Sequence, residues 1–122
     1  MPEPTDRSPA RSAQLRLTVG GGGEAVVVSA HGELDLATVD LLMTTLQGAA
    51  TDAESVVIDT AGVTFVDGAG MRGLLAPLAG DRRVALQIRN PSKPVLRLLS
   101  LLDCLDVLEP ACRDAFATAE QP

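Results

Sequence analysis

The spacing of apolar residues changes repeatedly along this chain, and the order of the changes restricts the fold more than any other feature. Leu15 to Val19, "LRLTV", alternates apolar and polar, the period of a half-buried strand. Glycines follow, and then "AVVVSAHG" from Ala25 to Gly32. A glycine-rich turn between two extended apolar runs reads as a hairpin. A phosphate cradle is the other reading of those glycines, but no Gly-Lys-Ser/Thr follows them and no helix opens there. From Thr38 the period lengthens. Val39, Leu42, Met43 and Leu46 recur at i, i+3, i+4 and i+7, one stripe of a helix.

"SVVID", Ser55 to Asp59, is a short continuous apolar run, as expected for a strand covered on both faces. Met71, Leu74, Leu75 and Leu78 make a second helical stripe, with Pro77 placed to distort or stop it because its ring removes a backbone donor. "VALQI", Val84 to Ile88, alternates again. "NPSKP" breaks the chain and leads into a third stripe of Val95, Leu98, Leu99 and Leu102. Pro94 fits the first turn of that helix, where an N–H is not needed. "DVL" after Leu105 reads as a short last strand, and Cys112, Ala115, Phe116 and Ala119 as a final stripe. The order β-β-α-β-α-β-α-(β)-α predicts an α/β sandwich: an N-terminal hairpin, then alternating helices and strands on a mostly parallel, mixed sheet.

The 122 residues suffice for one domain and not two. Residues 15–119 are expected to form that domain. Residues 1–14, "MPEPTDRSPARSAQ", carry the Pro, Ser and charge content of a disordered tail and lack the apolar core of a signal peptide. With two Phe and no Trp or Tyr, the core must be aliphatic, and stacking platforms for single-stranded nucleic acid are missing. A net charge of −6 argues against phosphate-backbone binding and suits a basic partner. No apolar run approaches the roughly 20 residues of a membrane span, so the expected location is the cytoplasm. Cys104 and Cys112 are too few for a disulfide scaffold and lack zinc-site spacing, and one histidine, His31, cannot make a metal site alone. No cofactor and no metal are expected.

Two segments could carry chemistry. In "HGELDLAT", His31 to Thr38, Glu33 and Asp35 lie on the turn between the second strand and the first helix. Paired carboxylates could act as acid and base. The better reading is that Asp35 caps free N–H groups ahead of the helix, Glu33 is a solvated turn residue and His31 a strand-end side chain. In "TFVDGAGMRGLL", Asp67 sits where a helix starts. It either caps that helix, with Gly68, Ala69 and Gly70 allowing tight packing, or belongs to a partner-docking edge; the two are compatible. Both segments follow strand C-terminal ends, so in a parallel sheet they share the rim where ligands bind. The cysteines invite a redox reading, but Cys112 falls on an apolar stripe, which predicts a buried thiol, and the pair is expected to be unbonded.

Taken together, "GELDLAT", "VVIDTAGVTFVDGAGMRGLL" and "NPSKPVLRLLSLLDCLDVL" resemble the STAS domain family, and more narrowly the bacterial anti-sigma factor antagonists. The resemblance runs from about Leu15 to Phe116. It implies a small binding domain, not an enzyme, whose partner is an anti-sigma factor, often a serine kinase. In that family the kinase phosphorylates a Ser that follows an Asp at a helix start. Matched residue by residue, Asp67 takes the position of that Asp, Gly68 that of the phosphoacceptor Ser, Ala69 the small residue and Gly70 the glycine. The resemblance thus implies a docking loop that is retained and an acceptor side chain that is gone. Thr64 carries a hydroxyl but lies four residues upstream. The expected partner surface is Glu33, Asp35, Asp67, Gly68, Ala69 and Arg72. Arg72 is included because it follows the loop within one turn and stands off the apolar stripe. The alternative is a STAS subunit of a larger assembly, such as a lipid-transport complex or a stress-signalling particle. The oligomeric state stays open, with a homodimer among the options.

Overall fold

The computed structural model describes residues 14–22, 25–51, 53–79 and 84–109. The final stripe with Cys112 and Phe116, and all of the expected tail except Gln14, lie outside the described residues. Strand β1, Leu15–Gly22, pairs antiparallel with β2, Ala25–Leu34. Helix α1, Val39–Ala50, crosses to β3, Ser55–Val66, which runs parallel to β2. Helix α2, Gly68–Leu74, and a 3₁₀ turn at Ala76–Ala79 lead to β4, Ala85–Arg89, parallel to β3. Helix α3, Lys93–Leu101, and a second 3₁₀ turn, Leu105–Val107, follow. The sheet order is β1-β2-β3-β4, so the predicted hairpin and mixed sheet are both present.

One face of the sheet carries the core. Val28, Ile58 and Ile88 lie side by side in register, each with no exposed surface. They share one cluster with Leu42 and Leu46 of α1, Met71 and Leu74 of α2, and Val95 and Leu99 of α3. Each such side chain contributes about 1.5–3 kcal/mol through removal from water. The crossovers β2-α1-β3 and β3-α2-β4 step the same way across the sheet. Right-handed crossovers then place their helices on the same side. Of the run Ser55 to Asp59, expected to be covered on both faces, Val56 and Ile58 are buried in the core and Val57 is buried on the other face at 8% exposure, while Ser55 and Asp59 beside it are half-buried.

Several boundaries also move. Strand β3 continues to Val66, so Thr64, Phe65 and Val66 belong to a strand and not to the loop read from the sequence. Two irregularities in its pairing with β2, after Ser29 and after Gly32, hide the strand by breaking its period of two. The Thr64 hydroxyl spans the second, donating to the Gly32 carbonyl at 3.2 Å. Strand β2 likewise runs on to Leu34, which puts His31 and Glu33 inside it. The "DVL" segment is a 3₁₀ turn followed by a single bridge from Leu108 to Ile88, because three residues offer too few ladder bonds to hold a strand. Leu102 caps the end of α3 at 50% exposure, outside the buried stripe. Pro77 falls in the 3₁₀ turn just after α2 stops, and Pro94 sits in the first turn of α3. Cys104 is a half-buried free thiol.

Helix α2 lies so close to the end of β2 that Gly70 has no room for a side chain: a Cβ there would collide with the Leu34 carbonyl oxygen. Gly73 is similarly tight, facing Val39 Cγ2 at 2.7 Å from a Cβ position. Gly70→Ala is expected to destabilise the domain by roughly 1–3 kcal/mol or more, since backbone must shift to admit the methyl. Urea unfolding of the variant beside the wild type measures it; equal midpoints would refute the close approach.

Candidate functional site

The two segments singled out in the sequence meet at one rim. Leu34 ends β2 and Val66 ends β3, and the two are register partners in the parallel ladder. Just beyond them the Asp67 N–H donates to the Leu34 carbonyl at 3.1 Å. Asp67 is the N-cap of α2 in extended conformation, and its Oδ1 accepts from the Gly70 N–H at 2.9 Å. The expected cap is therefore present. Its geometry turns the chain sharply from strand to helix and leaves Gly68 at the first helical position, exposed.

Nothing lies within 4 Å of the place a Cβ on Gly68 would occupy, and its φ is outside the left-handed region. The fold thus makes no demand for glycine at 68, whereas it does at 70. Ala69 is half-buried and Arg72 exposed.

The neighbouring turn holds its own shape. The Asp35 carboxylate accepts from the Ala37 and Thr38 N–H groups at 3.0 and 3.1 Å. Asp35 so closes the turn, while the N-cap position of α1 belongs to Thr38. The Thr38 hydroxyl, 1% exposed as a residue, donates to the Glu33 carbonyl at 2.8 Å and accepts from the Asp35 N–H at 3.0 Å. Glu33 is exposed at the strand end rather than in the turn. His31 is exposed as well, its ring lying over Gly62 so closely that a Cβ at Gly62 would meet Nδ1.

The structure thus gathers Glu33, Asp35, Asp67, Gly68, Ala69 and Arg72 on or beside one rim, by way of the Leu34–Asp67 bond and the short α2. Three residues were not singled out from the sequence. In the sequence Thr38 marks only a helix start. Leu36 and Phe65 are large apolar side chains with 76% and 48% exposure on the same rim. A Leu two residues after a strand, or a Phe two residues before a cap, gives no periodic signal. Asp35 and Asp67 both spend acceptor oxygens on backbone N–H groups, so the rim is organised by structure-holding bonds. Among the described residues no three His, Cys, Asp or Glu side chains group as metal ligands, and no helix is long and apolar enough to cross a membrane.

A family model described as "Mlab, STAS domain" matches residues 17–109. The chain belongs to the STAS domain family. Solved structures share its fold. An anti-sigma factor antagonist from Mycobacterium paratuberculosis superposes with a TM-score of 0.69 at 22% identity, covering 88% of this chain and 95% of that one. SpoIIAA, an anti-sigma factor antagonist described elsewhere as a Bacillus cell fate determinant, gives 0.61 at 19% identity in its unphosphorylated form, covering 76% and 85%. SLC26A9 gives 0.57 at 16% identity, with 80% of this chain matching 21% of that one. No curated protein matched the chain.

Thr38→Val keeps the shape of the side chain and removes the hydroxyl's bonds to the Asp35 N–H and the Glu33 carbonyl. The expected cost is about 1–3 kcal/mol, the penalty for stranding polar groups with little access to water. Thermal unfolding measures it, and an unchanged midpoint would show that the turn is held otherwise.

Proposed function

We propose that this STAS domain is an anti-sigma factor antagonist whose usual off-switch is absent. It binds an anti-sigma factor, a serine kinase-like protein, through the rim of Glu33, Asp35, Asp67, Gly68, Ala69 and Arg72, and so releases the sigma factor in the cytoplasm. The carrying observation is the environment of Gly68. At the position matching the family's phosphoacceptor, the chain is exposed and open, and the residue has no oxygen. The cap before it and the tightly packed glycine after it are both in place. The fold likeness to two proteins described as anti-sigma factor antagonists supports the reading.

Phosphate at this place would add about −1.5 to −2 of charge beside Asp67 and weaken docking through repulsion and desolvation. Without an acceptor the domain stays competent to bind. The mechanism is surface complementarity and competition for the anti-sigma factor, with no bond made or broken.

A second reading is a STAS subunit of a larger assembly, for instance a lipid-transport complex. It is favoured by the SLC26A9 likeness, where this fold makes up about a fifth of a much longer chain. Capture on the immobilised chain from its native cell extract, with mass spectrometry of what is retained, separates the two. An anti-sigma factor supports the first, and a transporter ATPase would replace it with the second.

Two substitutions test the site. Gly68→Trp should abolish binding of the captured protein while the domain stays folded, because the indole projects into open space. A folded variant with unchanged affinity would move the interface elsewhere. Gly68→Ser should gain a phosphate from the captured kinase, since neither backbone angle nor packing opposes the new side chain. Intact mass after incubation with ATP reads this out. A phosphate on the wild-type rim, at Thr64 for example, would show that a switch is retained.

A further inference from the structure

Five large apolar side chains stand exposed among the described residues: Val19, Leu36, Phe65, Leu101 and Leu102. Leu101 and Leu102 lie at the C-terminal end of α3, and Val19 on the edge strand β1. Leu36 and Phe65 flank the rim. Each is two residues from one partner of the Leu34–Asp67 hydrogen bond: Leu36 follows Leu34, and Phe65 precedes Asp67. Two residues of chain reach about 7 Å at most. Both side chains and Gly68 therefore fall within the footprint of one ordinary protein interface, about 800 Å² per partner or a disc of about 16 Å radius.

Neither side chain is explained by the core. Phe65 is one of two aromatic residues in the whole chain, and it stands at 48% exposure opposite Glu33 in the ladder. The charges around the pair have one dominant sign. Glu33, Asp35, Asp40 and Asp67 supply four carboxylates, against the guanidinium groups of Arg72 and of Arg16, whose register partner His31 lies two residues before Glu33. An interface with apolar anchors at its centre and charge at its rim is the usual anatomy of specific protein recognition.

We infer that Leu36 and Phe65 are the apolar anchors of this rim, and that the partner surface is an apolar pocket ringed by Lys or Arg side chains. The inference rests on the docking reading of the rim and adds the chemistry of what docks. Burial of Leu and Phe in the pocket slows dissociation. The carboxylates face the cationic ring and speed encounter.

The test uses the protein captured by the wild-type chain, purified, with binding kinetics measured for the wild type, Leu36→Ser, Phe65→Ser and Gly68→Trp at low and high salt. Leu36→Ser and Phe65→Ser should each weaken binding at least tenfold, mostly through faster dissociation. Their melting temperatures should stay close to wild type because both side chains are exposed. Leu36→Met and Phe65→Leu, which keep apolar volume, should bind within about threefold of wild type. High salt should slow association several-fold. If both Ser variants bind within twofold of wild type while Gly68→Trp does not bind, the anchors are refuted and the docking reading stands. If the Ser variants lose binding while Gly68→Trp binds normally, the anchors stand and the docking reading fails. Association indifferent to salt would remove the cationic ring, and a chain that captures no protein would overturn both.

Discussion

The end of β2, the cap of α2 and the first turn of that helix are joined through one carbonyl, that of Leu34. It accepts from the Asp67 N–H at 3.1 Å, and the Gly70 backbone lies against it with no space for a side chain. Asp67 then closes the knot by accepting from the Gly70 N–H at 2.9 Å. Three residues thereby fix where β3 ends, where α2 begins and how far the helix stands from the sheet. An N-cap carboxylate contributes about 0.5–2 kcal/mol. The close approach of Gly70 lets Met71 and Leu74 reach the core cluster, where both are essentially fully buried. The rim is a by-product of this junction: whatever lies between Asp67 and Gly70 on the outer side must project from the surface.

The two glycines of the loop consequently have different grounds. Gly70 is dictated by packing. Gly68 is not: its backbone is ordinary and its surroundings are empty. Glycine at an exposed position inside a helix is less favourable than alanine by about 1 kcal/mol, less so in the first turn. Stability alone would favour almost any other small residue there. The residue at 68 is therefore one that packing leaves free, and on the proposed reading its lack of a side-chain oxygen bears on regulation more than on folding.

How far this could be read from the chain varies with the local physics. The hairpin, the parallel crossovers and the first and third helical stripes were legible because each element carries its own apolar period; of the second stripe only Met71 and Leu74 fall in α2, with Leu75 at its C-cap and Leu78 in the 3₁₀ turn. Val39, Leu42, Met43 and Leu46 make a helix whatever else is present. Strand β3 was legible only for its first five residues. Beyond Asp59 its register with β2 shifts twice, so Val63 and Val66 bury themselves three residues apart and the alternation disappears. The short strand expected near Leu108 reduced to one bridge. At the rim, Asp67 and Gly70 were legible from cap chemistry. Thr38, with its hydroxyl bound at both sides inside the Glu33–Asp35 turn, was not, because no linear pattern marks a side chain that serves a loop ahead of its own helix. Leu36 and Phe65 were missed for a related reason: exposure is a tertiary property, and a single apolar residue near a turn reads like a core residue until the core is seen to close without it.

On the proposed reading, a docking surface without a phosphoacceptor shifts control to another variable. In a phosphorylated antagonist the bound fraction changes when charge is added beside the cap. Here the groups that shape the rim are committed to backbone bonds: Asp67 to Gly70, and Asp35 to Ala37 and Thr38. None can leave without cost to the fold. For such a surface the fraction of partner bound follows mass action, set by its affinity and by how much of the chain is present. On the proposed reading, control of such a domain falls to its abundance or to the partner.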